Sequence, residues 1–127
     1  MIVDTSAYSA FARGQQGLRK WFSGSQQLQM PLPVLAELYA GFAFGTQAKQ
    51  NHALLERFLG EPHVTILTMT NKTALLYAQI YTALRRAGRP IGVNDMWIAA
   101  LAMEHGVPLL TLDADFKHVV GLELVKL

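Results

Sequence analysis

Cysteine is absent from the chain. That excludes thiol catalysis, disulfide bonds and zinc sites built on thiolates, and it fits a cytoplasmic protein. No apolar run approaches the length that a bilayer span needs, so no membrane association is expected. The amino terminus has no basic stretch and its apolar start is broken at once by Asp4, so no secretory leader is read there. A glycine-rich phosphate loop is also missing. Gly14 and Gly17 lack a preceding strand and a following Lys-Ser/Thr pair, and Gly88 and Gly92 have no such partner. His52, His63, His105 and His118 nowhere show the spacing of a metal pair or a catalytic triad. There is no internal repeat, linker or low-complexity segment.

What remains is a chain rich in core-forming residues. Apolar types make up 51% of 127 residues, enough for one domain spanning 1–127 with one core and no covalent staples. The net charge is +2, from 11 basic and 9 acidic residues. Five of the acids, Asp4, Glu37, Asp95, Asp113 and Asp115, are candidates for one cleft. Setting them aside leaves Glu56, Glu61, Glu104 and Glu123 against all eleven Lys and Arg. The surface outside such a cleft is basic, as a phosphate-backbone partner requires.

Strands alternate with helices along the chain. Ile2-Val3 reads as a strand ended by Asp4, and a helix over Ser6 to Arg13 follows, stopped by Gly14. A short helix from Gln16 to Phe22 points Leu18, Trp21 and Phe22 inward. Leu28 to Leu32 is a strand, and Pro33 opens a helix over Val34 to Phe44 with Val34, Leu35, Leu38, Tyr39 and Phe42 as its buried stripe. Thr46 to Leu59 is a more polar helix that turns Ala53, Leu54 and Phe58 inward, with Leu55 as a further candidate, followed by a strand over His63 to Leu67. Thr70 or Asn71 caps a long helix from Lys72 to Ala87, whose Arg85-Arg86 end suits the helix dipole and, with Arg89, forms the densest positive patch. Asn94 caps the next helix, with Asp95 in its first turn and Gly106 as its stop. Val107 to Leu112 is a strand that leads into Asp113, and Leu122 to Leu127 is a last strand. This alternation predicts an α/β fold, a three-layer α/β/α sandwich around a mainly parallel sheet.

Such a sheet collects the carboxyl ends of its strands along one edge. Asp4 and Asp113 both follow strands, Asp95 opens a helix and Glu37 lies one turn into another, so all four can converge on that edge. Each also has a plainer reading. Asp4 beside Thr5-Ser6 makes a helix cap, Asp95 suits the positive end of its helix, and Asp113 and Asp115 compete for one place as turn and cap. Glu37 stands in an apolar run with Gly41, not a cation, one turn on. Converging carboxylates repel and raise one another's pKa. A hard divalent cation with oxygen ligands, magnesium or manganese, removes that cost. Thr5, Ser6, Asn94 and Thr111 are placed to orient the carboxylates by hydrogen bonds.

Four stretches in this order carry a likeness to a known family. They are Ile2-Val3-Asp4-Thr5-Ser6, Leu35-Ala36-Glu37-Leu38-Tyr39-Ala40-Gly41, Asn94-Asp95-Met96-Trp97-Ile98-Ala99-Ala100 and Leu110-Thr111-Leu112-Asp113-Ala114-Asp115-Phe116. Together they resemble the PIN-domain family over essentially the whole chain, and most closely its VapC-type ribonuclease toxins. The resemblance implies magnesium- or manganese-dependent cleavage of RNA, a cognate antitoxin that blocks the site, and a homodimer. It implies catalytic roles for Asp4, Glu37 and Asp95 and leaves the fourth acid open between Asp113 and Asp115. Asp113, nearer the strand end, is read as the fourth catalytic acid, and Asp4, Asp95, Asp113 and Asp115 as the candidate ligands to one or two ions. Activated water as the nucleophile leaves 5′-phosphate and 3′-hydroxyl ends. Arg85, Arg86, Arg89, Lys117 and His118 are the expected RNA contacts. Two rivals stand beside this reading. One is a magnesium-dependent small-molecule phosphohydrolase, which lacks its Asp-x-Asp pair because position 6 is Ser. The other is a non-catalytic RNA-binding module.

Overall fold

In a computed structural model that describes all 127 residues, Ile2–Val3 form strand β1 at the inside of a parallel sheet. Strands β2 (Leu28–Pro31), β3 (Val64–Leu67) and β4 (Leu109–Leu110) complete it in the order β3-β2-β1-β4. Ile2 pairs with Gln29 on one side and with Leu109 on the other, and Val3 pairs with Leu110. Both residues of β1 and both of β4 are buried, as strands covered on two faces must be. Helices α1 (Thr5–Ala12), α2 (Leu32–Phe44), α3 (Ala48–Leu59), α4 (Asn71–Arg86) and α5 (Val93–His105) flank the sheet, giving the expected α/β/α sandwich. No helix is long and apolar enough to cross a membrane.

The interior strands are shorter than their apolar runs. Val107 to Leu112 reads as six residues of strand, yet only Leu109–Leu110 pair. Their partner β1 has only Ile2-Val3 to offer before Asp4 turns the chain into α1. The expected last strand, Leu122 to Leu127, is reduced to a parallel bridge between Leu109 and Leu124 for the same reason. It is held by Leu109 N–H donating to the Glu123 carbonyl and Val125 N–H to the Leu109 carbonyl, both at 2.9 Å. The expected helix over Gln16 to Phe22 is a single 3₁₀ turn, Arg19–Phe22. Trp21 is only half-buried there, with Lys20 Nζ 5.2 Å from its ring centre, while Phe22 stacks on Phe11 at 4.0 Å.

One cluster of 27 buried residues forms the core. Helix α5 is its centre: Met96, Ile98, Ala99, Ala100, Leu101 and Ala102 are all buried. Three alanines on so short a segment let the neighbouring elements come close on several sides. Gly106 ends this helix at φ 61°, a left-handed conformation that glycine adopts without steric cost. Two stripes differ from those read off the sequence. In α3 the buried residues are Leu55 and Phe58, while Ala53 and Leu54 face outward. In α2, Val34, Leu35 and Leu38 are buried, but Tyr39 is exposed and stacks on His52 of α3 at 5.2 Å. Aromatic closure between two surface helices takes Tyr39 out of the core stripe, while Phe42 stays half-buried against the core with its ring edge-on to His52.

Helices α4 and α5 form a hairpin locked at its open end by a polar knot. Thr73 is fully buried and its hydroxyl donates to Glu104 Oε1 while accepting from Thr70 N–H at 2.9 Å. The Thr70 hydroxyl reaches the other carboxylate oxygen at 3.3 Å. Thr73→Val keeps the shape and removes both bonds. It is expected to cost ~1–3 kcal/mol, read as a lower urea midpoint. An unchanged midpoint would show that the knot is incidental.

Candidate active site

The strand order makes the position of the site a consequence of topology. The chain runs from β1 to β2 on one side, whereas β4 lies on the other, so β1 and β4 bound the switch point of the sheet. A crevice opens there outside the carboxyl ends of the strands. Asp4 is the first residue past β1, and the register places Thr111 beside it past β4. Asp4 N–H donates to the Leu110 carbonyl at 3.0 Å, extending the ladder by one bond into the site.

Asp4 is 4% exposed, one of only two buried polar residues in the chain. It occupies the N-cap position of α1 with extended backbone, but its side chain makes no capping bond. Instead Oδ2 accepts from Ser6 Oγ at 2.8 Å and from Thr111 Oγ1 at 2.6 Å. The two hydroxyls lie 3.2 Å apart and are themselves fixed: Leu112 N–H donates to Ser6 Oγ and Asp113 N–H to Thr111 Oγ1, each at 3.0 Å. Oδ1 is left without a hydrogen bond from the protein. A buried carboxylate gripped on one oxygen and free on the other is built to give that oxygen to something else.

The other acids arrive from three further elements. Glu37 is on α2, which starts directly where β2 ends. Its Oε1 is buried and unpartnered, and so is Thr5 Oγ1. Asn94 and Thr5 face the Glu37 carboxylate closely enough to favour its charge, without closing hydrogen bonds to Oε1. Burial, and after it the charge of Asp4, pushes the Glu37 pKa up in spite of them. Asp95 stands in the first turn of α5 and folds back over Gly92, where an added Cβ would lie 3.6 Å from Oδ2. Its pKa is raised from 3.8 to about 6, first by burial and then by Asp4, Asp113, Glu37 and Asp115 in that order. Every charge that bears on it is another carboxylate, so all five predicted acids share one electrostatic field.

Three placements differ from the sequence reading. Asn94 does not cap α5. Gly92 is the N-cap, in extended conformation, and Asn94 lies in the first turn facing Glu37. The cap of the 3₁₀ turn Ala114–His118 is Asp113, whose Oδ1 accepts from Asp115 N–H at 2.9 Å, and Asp115 itself is exposed. His118 is half-buried and lines an apolar cavity with Ile80, Ala83, Leu84 and Met103. Arg85, Arg86, Arg89 and Lys117 are all exposed, and the first three lie at the turn of the hairpin that carries Asp95. Gly92 is the site residue that sequence reasoning missed. The only signal was a glycine three residues before an acid at a helix start.

As the side chains stand, no three acids or histidines close into a cage around one ion. The donor set still fits a hard cation. It is all oxygen, it includes a fixed carboxylate with one free atom, and no basic side chain offsets it.

The field has a consequence for stability. Because the Asp95 pKa is raised, the folded chain holds this proton more tightly than the unfolded chain does between pH 3.8 and about 6. The resulting contribution to stability is complete below the lower value and is lost as pH rises through the upper one. Asp95→Asn removes the repulsion. In metal-free buffer at neutral pH the variant should be more stable than wild type by ~1 kcal/mol, a figure discounted for the partial exposure of the group. A variant that melts at or below the wild-type temperature would contradict the electrostatic account.

Comparison with known proteins agrees with this geometry. Residues 1–122 match the family model of the PIN domain. The chain is 35% identical to ribonuclease VapC1 of Rickettsia felis over 127 residues, covering 98% of this chain and 94% of that one. It is 33% identical to ribonuclease VapC of Rickettsia bellii with the same coverage. Among solved structures, VapBC2 from Rickettsia felis bound to a promoter DNA fragment superposes with a TM-score of 0.85 at 25% identity, covering 98% of this chain and 96% of the other. FitAcB from Neisseria gonorrhoeae superposes with a TM-score of 0.80 at 26% identity, with the same coverage. The chain therefore belongs to the PIN-domain family, in its branch of VapC-type ribonuclease toxins.

Proposed function

We propose that this protein is a divalent-metal-dependent endoribonuclease and the toxic half of a toxin–antitoxin pair. The observation that carries the reading is the buried Asp4, locked on Oδ2 by Ser6 and Thr111 and one of four carboxylates that act on Asp95 with no cation among them. Asp4, Asp95 and Asp113 are the residues that would hold magnesium or manganese, with Asp115 at the exposed margin. One or two such ions, when bound, supply an acidified water and a counter-charge for the phosphodiester.

The protein's own groups do the rest. Ser6 and Thr111 hold Asp4 in one orientation, so its free oxygen needs no rearrangement on binding. Glu37 presents a buried, unpartnered Oε1 that can accept a hydrogen bond from the attacking water and align it. Asn94 and Thr5 offset part of the rise that burial and the charge of Asp4 impose on the Glu37 pKa. Arg85, Arg86, Arg89 and Lys117 are exposed cations for the RNA backbone.

An antitoxin partner is supported by the neighbouring structures, which are toxin–antitoxin complexes of the VapBC and FitAB kinds. A groove among α1, α2 and α3, lined by Tyr8, Leu38, Phe42 and Leu54, is an apolar seat for its chain, with the exposed Tyr39 next to Leu38 in sequence and the half-buried Trp21 as a further aromatic candidate. An arginine from the partner would neutralise the carboxylates directly. Assembly as a homodimer is proposed on family grounds.

Cellular RNA incubated with the purified chain should be cut when Mn²⁺ is present and spared in EDTA, with 5′-phosphate and 3′-hydroxyl ends. Cyclic 2′,3′-phosphate ends would exclude water as the nucleophile. Asp4→Asn should abolish cleavage and leave the fold intact. Thr111→Val, which only loosens Asp4, should lower activity about 10–100-fold. Turnover of small phosphate esters with RNA left whole would favour a phosphohydrolase instead.

A further inference from the structure

Along α4, Tyr77, Tyr81 and Arg85 recur every four residues and therefore stand one above another on a single face. Tyr81 and Arg85 each lie one residue round from the buried Ile80 and Leu84, so this part of the row borders the core without belonging to it. The rings of Tyr77 and Tyr81 are 6.4 Å apart and only 16° from parallel. The Arg85 guanidinium lies over the Tyr81 ring at 5.3 Å. At the other end Tyr77 packs on Trp97 of α5 at 4.4 Å and 32°. Four flat groups, Trp97, Tyr77, Tyr81 and Arg85, thus form one line. From Tyr77 to Arg85 it extends about 12 Å along the helix.

Folding accounts for only part of this line. The Trp97–Tyr77 contact holds α4 against α5. Tyr81 does no such job, because it is 41% exposed and its hydroxyl has no hydrogen-bond partner in the protein. The cation on its ring comes from the last turn of α4, and Arg86 and Arg89 follow directly. Aromatic faces interleaved with guanidinium groups are what a protein uses to hold single-stranded nucleic acid, since every base has a face to stack and every nucleotide a phosphate to pair.

The line is also in the right place. A six-residue turn joins the Arg85–Arg86 end of α4 to the start of α5, whose first turn carries Asp95. We propose that the Trp97–Tyr77–Tyr81–Arg85 row is a stacking track that binds a single-stranded stretch of RNA on the same hairpin that carries Asp95. The track rests on the ribonuclease reading and adds to it a preference in substrate. Unpaired bases can lie on Tyr81 and Arg85, with Arg86 and Arg89 on the flanking phosphates. Bases stacked inside a duplex cannot.

The test is binding of a short fluorescent oligouridine to the full chain in EDTA, by anisotropy, alongside cleavage of the same strand in Mn²⁺. Tyr81→Ala should weaken binding about tenfold, whereas Tyr81→Phe, which keeps the ring, should bind as wild type does. Arg85→Ala should weaken binding and flatten its salt dependence by about one charge. A duplex of matched length should bind weakly and be indifferent to Tyr81. Equal binding by Tyr81→Ala and wild type, or an equal loss for single strand and duplex, would overturn the track. So would a change from dimer to monomer in Tyr81→Ala with RNA affinity untouched, which would make this face a contact between copies. If wild type cleaves the strand but Tyr81→Ala matches it in binding and cutting, only the track fails. If wild type neither binds nor cleaves RNA, the ribonuclease reading fails with it.

Discussion

A carboxylate buried at the end of an interior strand is the constraint on which the rest of this structure turns. Asp4 is almost wholly removed from water, and its only direct compensation is two hydroxyl donors on one oxygen. One of them, Thr111, comes from the far end of the chain, so the grip on Asp4 exists only while β1 and β4 are paired. The pairing in turn requires α4 and α5 to carry the chain from β3 at one edge of the sheet to β4 beyond β1. Site and topology are therefore not separable: the crossover that makes the fold also closes the hydrogen bonds that orient the acid.

Repulsion accumulates around that fixed point. Glu37, Asp95 and the neighbouring pair Asp113 and Asp115 come from three different elements, and the raised pKa values of Asp95 and Glu37 register the cost. A protein under no functional demand loses such a cluster to substitution, because nearly any neutral residue would be more stable there. The surrounding structure absorbs the cost through a core centred on α5, whose alanine-rich middle packs closely between its neighbours. The most strongly perturbed acid, Asp95, is thus mounted on the most deeply buried helix.

Much of this was legible in the sequence because it depends on local signals that topology cannot override. Ile2-Val3 before Asp4 and Leu109-Leu110 before Asp113 announced buried strands ending in acids, and a parallel sheet brings such ends together. What the sequence could not convey was how far each strand pairs, since that is decided by the partner. Leu122 to Leu127 has the composition of a strand but finds only one residue to bridge. The helix start at Gly92 was hidden because Asn94 is the better capping residue by type, yet its side chain is engaged with Glu37 across the site. Capping by Asp113 rather than Asp115, and the place of His118 in the lining of an apolar cavity, likewise follow from tertiary packing. The aromatic row on α4 could have been found from Tyr77, Tyr81 and Arg85 at intervals of four, but its fourth member, Trp97, belongs to another helix.

The central claim is that the gathered carboxylates are held ready for a divalent cation. Thermal melting at neutral pH with and without Mn²⁺, in wild type and in Asp4→Asn, tests it without recourse to any substrate. Binding to the folded chain alone must raise its stability, by about 2.7 kcal/mol when the ion is a hundredfold above its dissociation constant. The account predicts a higher melting temperature in Mn²⁺ for wild type and none of that gain for Asp4→Asn. No shift in wild type, or the same shift in both, would contradict it.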